Sequence, residues 1–217
     1  MASIKTIAVI GTGRVGGALG ARLGHAGYTI VYGSRSPADP RVAELVARSG
    51  PAARVAMPGD AVRAADAILF TPPWLSAEAV LRSLGDLSGK VLLDTTNHFA
   101  FKDGRDVELP VDGSAAEMIQ RWAPGARVVK AFNTVNSRVM ADPAKGEGPT
   151  TIPLAGDDAA AKAVAAEIVR ALPPFAPFDV GPLANARYVE AMAMLYVNVI
   201  LQNRPDAFEF VLRPRGK

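Results

Sequence analysis

The stretch IAVIGTGRVG, residues 7–16, passes from an apolar segment into the pattern G-x-G-x-x-G and then into a helical spacing. Gly11 permits a tight turn out of a strand, and Gly13 lets the backbone approach a pyrophosphate closely. Gly16 lets the following helix lie close to the sheet, so that its N-terminal N–H groups are directed at the phosphates. The pattern predicts a dinucleotide site formed by Gly11, Thr12, Gly13, Arg14, Val15 and Gly16.

The flanking sequence supplies the context that this motif needs. Apolar spacing predicts a strand over residues 4–10, a helix over residues 14–25 and a second strand over residues 28–32. NAD-binding proteins of this type carry an acidic residue at the end of that second strand. Here the strand leads into Ser34 and Arg35 with no acid before Asp39, and a guanidinium matches phosphate oxygens. NADP(H) is therefore the favoured cofactor.

Composition limits the class of protein. The 217 residues are 49% hydrophobic with a mean hydropathy of +0.16, which suits a folded core and not a disordered chain. The absence of cysteine excludes disulfides and thiolate metal sites and fits a reducing compartment. The net charge of +3 comes from scattered basic residues, which predicts no nucleic-acid partner. No stretch is long and apolar enough for a bilayer, and the first strand leaves no room for a signal peptide. We therefore expect a cytoplasmic protein with no membrane partner.

Predicted strands and helices alternate along most of the chain, which is typical of a Rossmann-type, doubly wound, mainly parallel α/β sheet. A loop over residues 140–149 divides a predicted NADP-binding domain, residues 1–140, from a smaller C-terminal portion, residues 150–217, within what we expect to be one compact unit. The C-terminal portion extends the sheet and adds a helix over residues 183–203. That helix is apolar on most faces, which suits either the core or a dimer interface.

Ligands of open parallel sheets bind beyond the carboxyl ends of the strands. Residues 95–112 form a predicted polar loop at such an end, typical of a lid or an interface. The same reasoning assigns to the nicotinamide end Thr71, Pro72, Pro73, Trp74, Thr95, Asn97 and Asn133.

The chemistry of these strand ends favours one class of reaction. They carry hydroxyls and amides but no catalytic triad, carboxylate pair or metal cluster. Hydride transfer between two carriers suits such a site, since positioning supplies the rate. Reduction of a small carbonyl or imine would need a proton donor, for which His98, Tyr188 and Lys130 are the candidates. The third hypothesis is that the chain is a non-catalytic NADP-binding redox sensor. His25, at the end of the first helix, is read as structural.

Several motifs occur in order over nearly the whole chain: GTGRVG at 11–16 with GSR at 33–35, TPPW at 71–74, SAAE at 114–117, VKAFNT at 129–134 and DVGPLANAR at 179–187. Together they resemble the NADPH-dependent reductases of the 8-hydroxy-5-deazaflavin coenzyme F420. They are also similar to the cytosolic domain of the six-transmembrane ferric reductases. The resemblance implies an NADP-dependent oxidoreductase that exchanges hydride with a small-molecule acceptor, a deazaflavin (F420) or a flavin such as FMN or FAD.

The resemblance also implies roles for single residues. Thr12, Ser34 and Arg35 would hold the 2′-phosphate, and Gly13, Arg14 and Val15 would face the pyrophosphate. Residues 71–74 would lie beside the nicotinamide, and Asn133 would lie near the reacting rings as the one candidate catalytic residue. A homodimer without metal is implied as well. The chain differs from archaeal members at two points, since they carry a histidine at the position of Asn133 and a lysine at that of Ser36.

Overall fold

The structure is a computed structural model that describes residues 4–102, 106–108, 113–146, 148–201 and 208–212. Its first half contains β1 (Thr6–Ile10), α1 (Arg14–His25), β2 (Thr29–Gly33), α2 (Pro40–Ala47), β3 (Arg54–Ala56), α3 (Pro58–Arg63), β4 (Ala67–Phe70), α4 (Trp74–Arg82) and β5 (Val91–Asp94). The second half contains β6 (Ala100–Lys102), β7 (Asp106–Glu108), α5 (Ala115–Trp122), β8 (Arg127–Lys130), α6 (Ser137–Ala141), β9 (Thr151–Ala155), α7 (Ala159–Arg170), β10 (Ala176–Gly181) and α8 (Ala186–Leu201).

Eight strands form one sheet in the order β10-β9-β8-β5-β4-β1-β2-β3. Neighbouring strands are parallel except β8 and β9, which pair antiparallel at Lys130 and Ala155. Apolar clusters cover both faces of the sheet, with α1, α2, α6 and α7 on one face and α3, α4 and α5 on the other. The predicted doubly wound, mainly parallel sheet with a C-terminal helix is confirmed. β9 and β10 continue the same sheet. The division into two domains near residues 140–149 stays a prediction.

The central strands are buried on both sides because they are nearly continuous runs of branched apolar residues. Parallel pairing then brings the carboxyl ends of β1, β2, β4 and β5 to one edge of the sheet. Ligands of such sheets bind at that edge, so the topology alone places the functional region.

Three element boundaries differ from those predicted. Apolar residues also predict a strand over 127–132, but β8 ends at Lys130, since Phe132 adopts a left-handed backbone with φ of 62°. The sequence also predicts a helix over 75–87, but α4 ends at Arg82, before Gly85 with φ of 84°. Part of the predicted loop over 95–112 is a small antiparallel sheet of β6 and β7, and residues 103–105 and 109–112 lie outside the described residues. Each of these two strands has three residues, which is too short for an apolar pattern that would predict a strand.

The last helix, α8, is neither fully buried nor fully exposed. Ala186, Val189, Glu190 and Ala193 are buried, whereas Tyr188 and Leu195 are 71% and 56% exposed. The reading of α8 as a helix deep in the core is therefore wrong. Its predicted end at residue 203 lies outside the described residues. No helix in the described part of the chain has the length and apolar character needed to cross a membrane.

Candidate functional site

In the turn between β1 and α1, contacts with other protein atoms require glycine at two of the three motif positions. Gly11 has a φ of 109°, which side-chain-bearing residues rarely adopt, and a Cβ there would lie 2.8 Å from the Thr71 backbone. A Cβ at Gly16 would lie 1.9 Å from the Gly11 carbonyl oxygen, so only glycine lets α1 pack this closely. Gly13 differs, because a Cβ there would meet nothing within 4 Å. Close approach of a ligand is a physical reason for glycine at this position, beside the preference for glycine over larger apolar residues at a helix N-cap.

Thr71, at the end of β4, ties the two central strands together. Its hydroxyl donates to the Gly11 carbonyl at 2.8 Å and to the Ile10 carbonyl at 3.1 Å. Beside it, the N terminus of α1 has Gly13 as N-cap, no capping side chain among the described residues and no acidic residue in its first turn. The N-terminal N–H groups and the positive end of the helix dipole therefore face the cleft without an internal anion, as a phosphate site requires.

The cleft along this edge of the sheet has a volume of about 720 Å³, which suits a dinucleotide-sized ligand. It collects nearly all the cofactor residues predicted from the sequence. Those that line it are Gly11, Thr12, Gly13, Arg14, Val15, Ser34, Arg35, Thr71, Pro72, Pro73, Trp74, Thr95 and Asn97. Gly16 lies behind the turn, and Asn133 is buried behind Asn97.

Among the lining residues that the sequence did not assign to the site, two are charged, Asp39 and Arg41. Asp39 caps the N terminus of α2, and its carboxylate accepts from the Arg41 side chain at 2.7 Å. This hydrogen bond lowers the pKa of Asp39 and raises that of Arg41, so both groups are charged at neutral pH. The acid that the sequence places after Arg35 is thus paired with a guanidinium. The signal available in the sequence was Asp39-Pro40, a helix N-cap followed by proline, which puts Arg41 in the first turn of α2.

The two ends of the cleft differ in charge. In the described part of the chain, the charged side chains that line it are Arg14, Arg35, Asp39 and Arg41, all beyond β1 and β2. Beyond β4 and β5 the lining residues are hydroxyl, amide, proline and aromatic groups: Thr71, Pro72, Pro73, Trp74, Thr95, Thr96, Asn97 and Phe99. Phosphate recognition is therefore possible at the first end, and a planar, largely uncharged ring suits the second.

Asn133 is held in one orientation by its neighbours. Its Nδ2 donates to Asn97 Oδ1 at 2.9 Å and to the Val189 carbonyl at 3.2 Å. Asn97 Nδ2 in turn donates to the Asn133 carbonyl at 3.2 Å. Because a carbonyl can only accept, both amides have a fixed direction. Asn133 Oδ1 is buried and has no hydrogen-bond partner within the described residues, which leaves one acceptor free.

The three predicted proton donors occupy different environments. Lys130 is fully buried, and its Nζ contacts Asp94 Oδ2 at 2.5 Å, Glu190 Oε1 at 2.8 Å and the Thr96 carbonyl at 2.6 Å. Burial alone would lower the pKa of Lys130, but the facing carboxyl groups outweigh it and raise that pKa. Tyr188 is largely exposed on α8. Neither group lines the cleft.

His98 packs against the cleft wall without lining it. Its ring lies 4.7 Å from that of Trp74, which stacks on Trp122 at 5.4 Å. Burial lowers the pKa of His98, although Glu190 opposes the shift, so the imidazole is neutral at pH 7.

The prediction that His25 is a structural residue also has a contact to support it, since its Nε2 lies 3.0 Å from the Arg48 carbonyl. Among the described residues no group of three metal-ligating side chains occurs.

Known proteins share both this sequence and this fold. A family profile described as NADP oxidoreductase, coenzyme F420-dependent, matches residues 6–98. The F420-dependent NADP reductase of Methanothermobacter thermautotrophicus is 31% identical over 93% of this chain and 91% of its own length. The chain belongs to the F420-dependent NADP reductase family. It is accordingly an NADP-dependent oxidoreductase.

Three further proteins resemble the chain, two in sequence and one in fold alone. Metalloreductase STEAP3 of Rattus norvegicus is 33% identical over 87% of this chain, which spans 36% of that longer protein. A crystal structure from Arthrobacter sp. FB24, provisionally assigned as an F420-dependent NADP reductase, is 30% identical with a TM-score of 0.87, and the match covers 98% of this chain and 100% of that one. A reductive aminase from Aspergillus terreus, at 17% identity and a TM-score of 0.66, covers 93% of this chain and 63% of that one and shares the fold.

Proposed function

We propose that the chain transfers hydride between NADPH and a deazaflavin coenzyme of the F420 type. The observation that carries this proposal is the charge pattern of the cleft. All its charged side chains in the described residues lie beyond β1 and β2, and the other end offers hydroxyls, amides and an aromatic wall. Transfer between two rings needs correct placement more than a protein acid or base, so this lining suits it. Relatives named F420-dependent NADP reductases, which match over nearly their full length, support the same acceptor.

The residue roles follow from position in the cleft. Ser34, Arg35 and Thr12 would hold the 2′-phosphate, now with Arg41 as a further cation, and Gly13, Arg14 and Val15 would face the pyrophosphate. The nicotinamide would lie against the wall that begins at Thr71, Pro72, Pro73 and Trp74 and continues at Thr95 and Asn97. Asn133 would act from behind Asn97, which it holds in place through the hydrogen bond from its Nδ2 to Asn97 Oδ1.

Stopped-flow oxidation of NADPH tests the acceptor. The purified protein is mixed with NADPH and, in parallel, with oxidised F420, FMN or FAD, with NADH as the control donor. Rapid NADPH oxidation by F420 is the expected result. Selective reduction of FMN or FAD would show instead that the acceptor is a flavin and not a deazaflavin. Tight NADPH binding with no oxidation by any ring would contradict the proposal and favour a sensor.

Reduction of a small carbonyl or imine is the weaker alternative. It needs a proton donor at the reacting atom, yet Lys130 is buried and ion-paired outside the cleft lining and Tyr188 is on the exposed face of α8. His98 remains, and it would have to act from beside Trp74. Oxidation of NADPH by cyclic imines or small ketones, abolished in His98→Ala, would support this alternative.

We also propose that the chain forms a homodimer through α8. Leu195 is 56% exposed there, and Ile200 and Leu201 are exposed as well, which leaves apolar surface at the end of the helix. Light scattering should give twice the chain mass of 22.7 kDa. Leu195→Asp should yield the monomer, whereas Leu75→Asp, at a fully exposed apolar residue on α4, should leave the dimer intact.

A cytoplasmic location is proposed on the cysteine-free composition and is testable by cell fractionation.

A further inference from the structure

A buried ionic cluster lies behind the cleft, at the carboxyl ends of β5 and β8. It consists of Lys130 and Asp94, both fully buried, and Glu190 of α8, which is 2% exposed. The Lys130 ammonium donates to the Thr96 carbonyl at 2.6 Å and is ion-paired with Asp94 Oδ2 at 2.5 Å and with Glu190 Oε1 at 2.8 Å. This one group therefore links the ends of β5 and β8 to α8.

Other donors also reach the two carboxyl groups of this cluster. Asp94 Oδ1 accepts from the backbone and the hydroxyl of Thr96, at 2.8 and 2.7 Å. Glu190 Oε2 accepts from the N–H of Ala115 at 3.0 Å, at the positive end of the α5 dipole. Apolar side chains of similar volume commonly stabilise a core as well as a buried ion pair does. Stability alone therefore does not account for a lysine at this position.

The partners of Lys130 adjoin the residues that orient Asn133. Thr96 precedes Asn97, whose Oδ1 accepts from Asn133 Nδ2 at 2.9 Å. Glu190 follows Val189, whose carbonyl accepts from the same nitrogen at 3.2 Å. One ammonium thus fixes both segments that hold this amide, and Asn133 itself follows Lys130 by three positions on the chain.

We propose that Lys130 is a positioning residue for the site, which holds the amide pair of Asn97 and Asn133 in a single arrangement at the nicotinamide end of the cleft. It acts through the Thr96 carbonyl and through Glu190, without touching the cofactor. The inference rests on the proposed function for its effect on catalysis, but the arrangement of the amides can be measured without any acceptor.

The first test reads the Asn133 side chain directly by NMR. The variant is Lys130→Met/Asp94→Asn, which removes the ammonium and a facing carboxyl group together and so leaves less uncompensated charge. In the wild type the Asn133 NH2 resonances, assigned by their loss in Asn133→Leu, should be protected from solvent exchange. In the variant that protection should fall by about tenfold or more, because the two acceptors are no longer fixed.

Lys162→Met is the matched control, since Lys162 also pairs with a carboxylate, Asp179 at 2.9 Å, at the edge of the sheet. It should leave the Asn133 resonances unchanged. Unchanged Asn133 protection in the Lys130 variant would overturn the proposal. If that variant does not fold, Glu190→Gln is measured in the same way, because it keeps the size of the side chain and loses one of the oxygen acceptors. Unchanged protection there would overturn the proposal as well.

The second test is a kinetic double-mutant cycle on hydride transfer. Alone, the Lys130 variant should slow single-turnover transfer by about 100-fold, as a displacement of about 1 Å would, while NADPH affinity changes by less than about threefold. Combined with Asn133→Leu, it should add little further loss, since both act through one amide. Multiplicative losses would show independent roles and contradict the proposal. A wild type inactive with every acceptor would reject the proposed function alone, since the NMR result stands apart from it.

Discussion

At the end of the cleft that we propose for the adenosine, Arg35 and Arg41 are two exposed guanidinium groups that line the cleft together with Ser34. A hydrogen bond to a charged phosphate contributes about 1.5–3 kcal/mol. We therefore expect Arg35→Ala and Arg41→Ala each to weaken NADPH binding by about tenfold or more and to leave NADH binding nearly unchanged. Fluorescence titration with both dinucleotides measures this. Arg63→Ala is the control, because Arg63 is also exposed and paired with an aspartate but lies outside the cleft. Equal weakening of both dinucleotides would remove these arginines from the 2′-phosphate.

Gly13 gives a cleaner test than the other glycines. Because a Cβ there meets no protein atom, Gly13→Val should fold, at a cost of about 1 kcal/mol for the poorer N-cap. It should nevertheless abolish NADPH binding, since the new side chain occupies the space where a pyrophosphate approaches. Thermal unfolding and titration of the same sample separate the two effects. Undiminished affinity would exclude this turn from the site.

These residues show how far sequence reasoning reached at the site. The glycine turn and the strand ends were predictable because both depend on local pattern and on the general rule for parallel sheets. Arg41 was missed because its place in the cleft depends on where α2 begins. The cluster of Asp94, Lys130 and Glu190 was missed because it joins residues that are 36 and 60 positions apart, and spacing along the chain does not encode such contacts.

At the scale of elements, α5 begins with a capping box and is tied to α8. Ser114 and Glu117 bond each other reciprocally, and Glu117 also accepts from Arg187 of α8 at 2.7 Å. The hydrogen bond from Arg187 is the main cause that lowers the pKa of Glu117, with Ser114 contributing and burial opposing. A carboxyl group whose pKa is lower in the native state stabilises it above the unfolded pKa and loses that effect as the pH falls.

Glu117→Gln should therefore lower the free energy of unfolding at pH 7, and the deficit against the wild type should shrink as the pH falls below about 4.3, the ordinary glutamate value. Urea unfolding of both proteins at several pH values measures it. Glu78→Gln is a suitable control, because Glu78 also pairs with an arginine, Arg82 at 2.7 Å, but within one exposed helix. A deficit that stays constant with pH would contradict the role of the Glu117 charge.

At the scale of the whole molecule, the sheet gathers the cleft from strands that are far apart in sequence, so cofactor binding should stabilise the entire fold. At a concentration of 100 times its Kd, NADPH stabilises the native state by about 2.7 kcal/mol. For a chain of this size that corresponds to a rise in Tm of about 5–10 °C. NADH at the same concentration should raise Tm much less. Equal shifts would mean that the phosphate end of the cleft does not discriminate.

The fold itself was largely predictable, since alternating strands and helices with a glycine turn after the first strand allow few topologies. The pairing of β6 with β7 and the partial exposure of α8 were not. Both depend on tertiary packing, because α8 carries apolar residues on faces that the described residues leave exposed, and apolar periodicity does not say what covers a face.

Label transfer tests the central claim most directly. NADPH that carries deuterium at C4 of the dihydronicotinamide is incubated with the protein and oxidised F420 in ordinary water, and the reduced deazaflavin is analysed by mass spectrometry. Direct hydride transfer predicts one deuterium in the deazaflavin from one C4-labelled epimer of NADPH and none from the other. Reduced deazaflavin without deuterium from either epimer, or no reduction at all, would contradict the account.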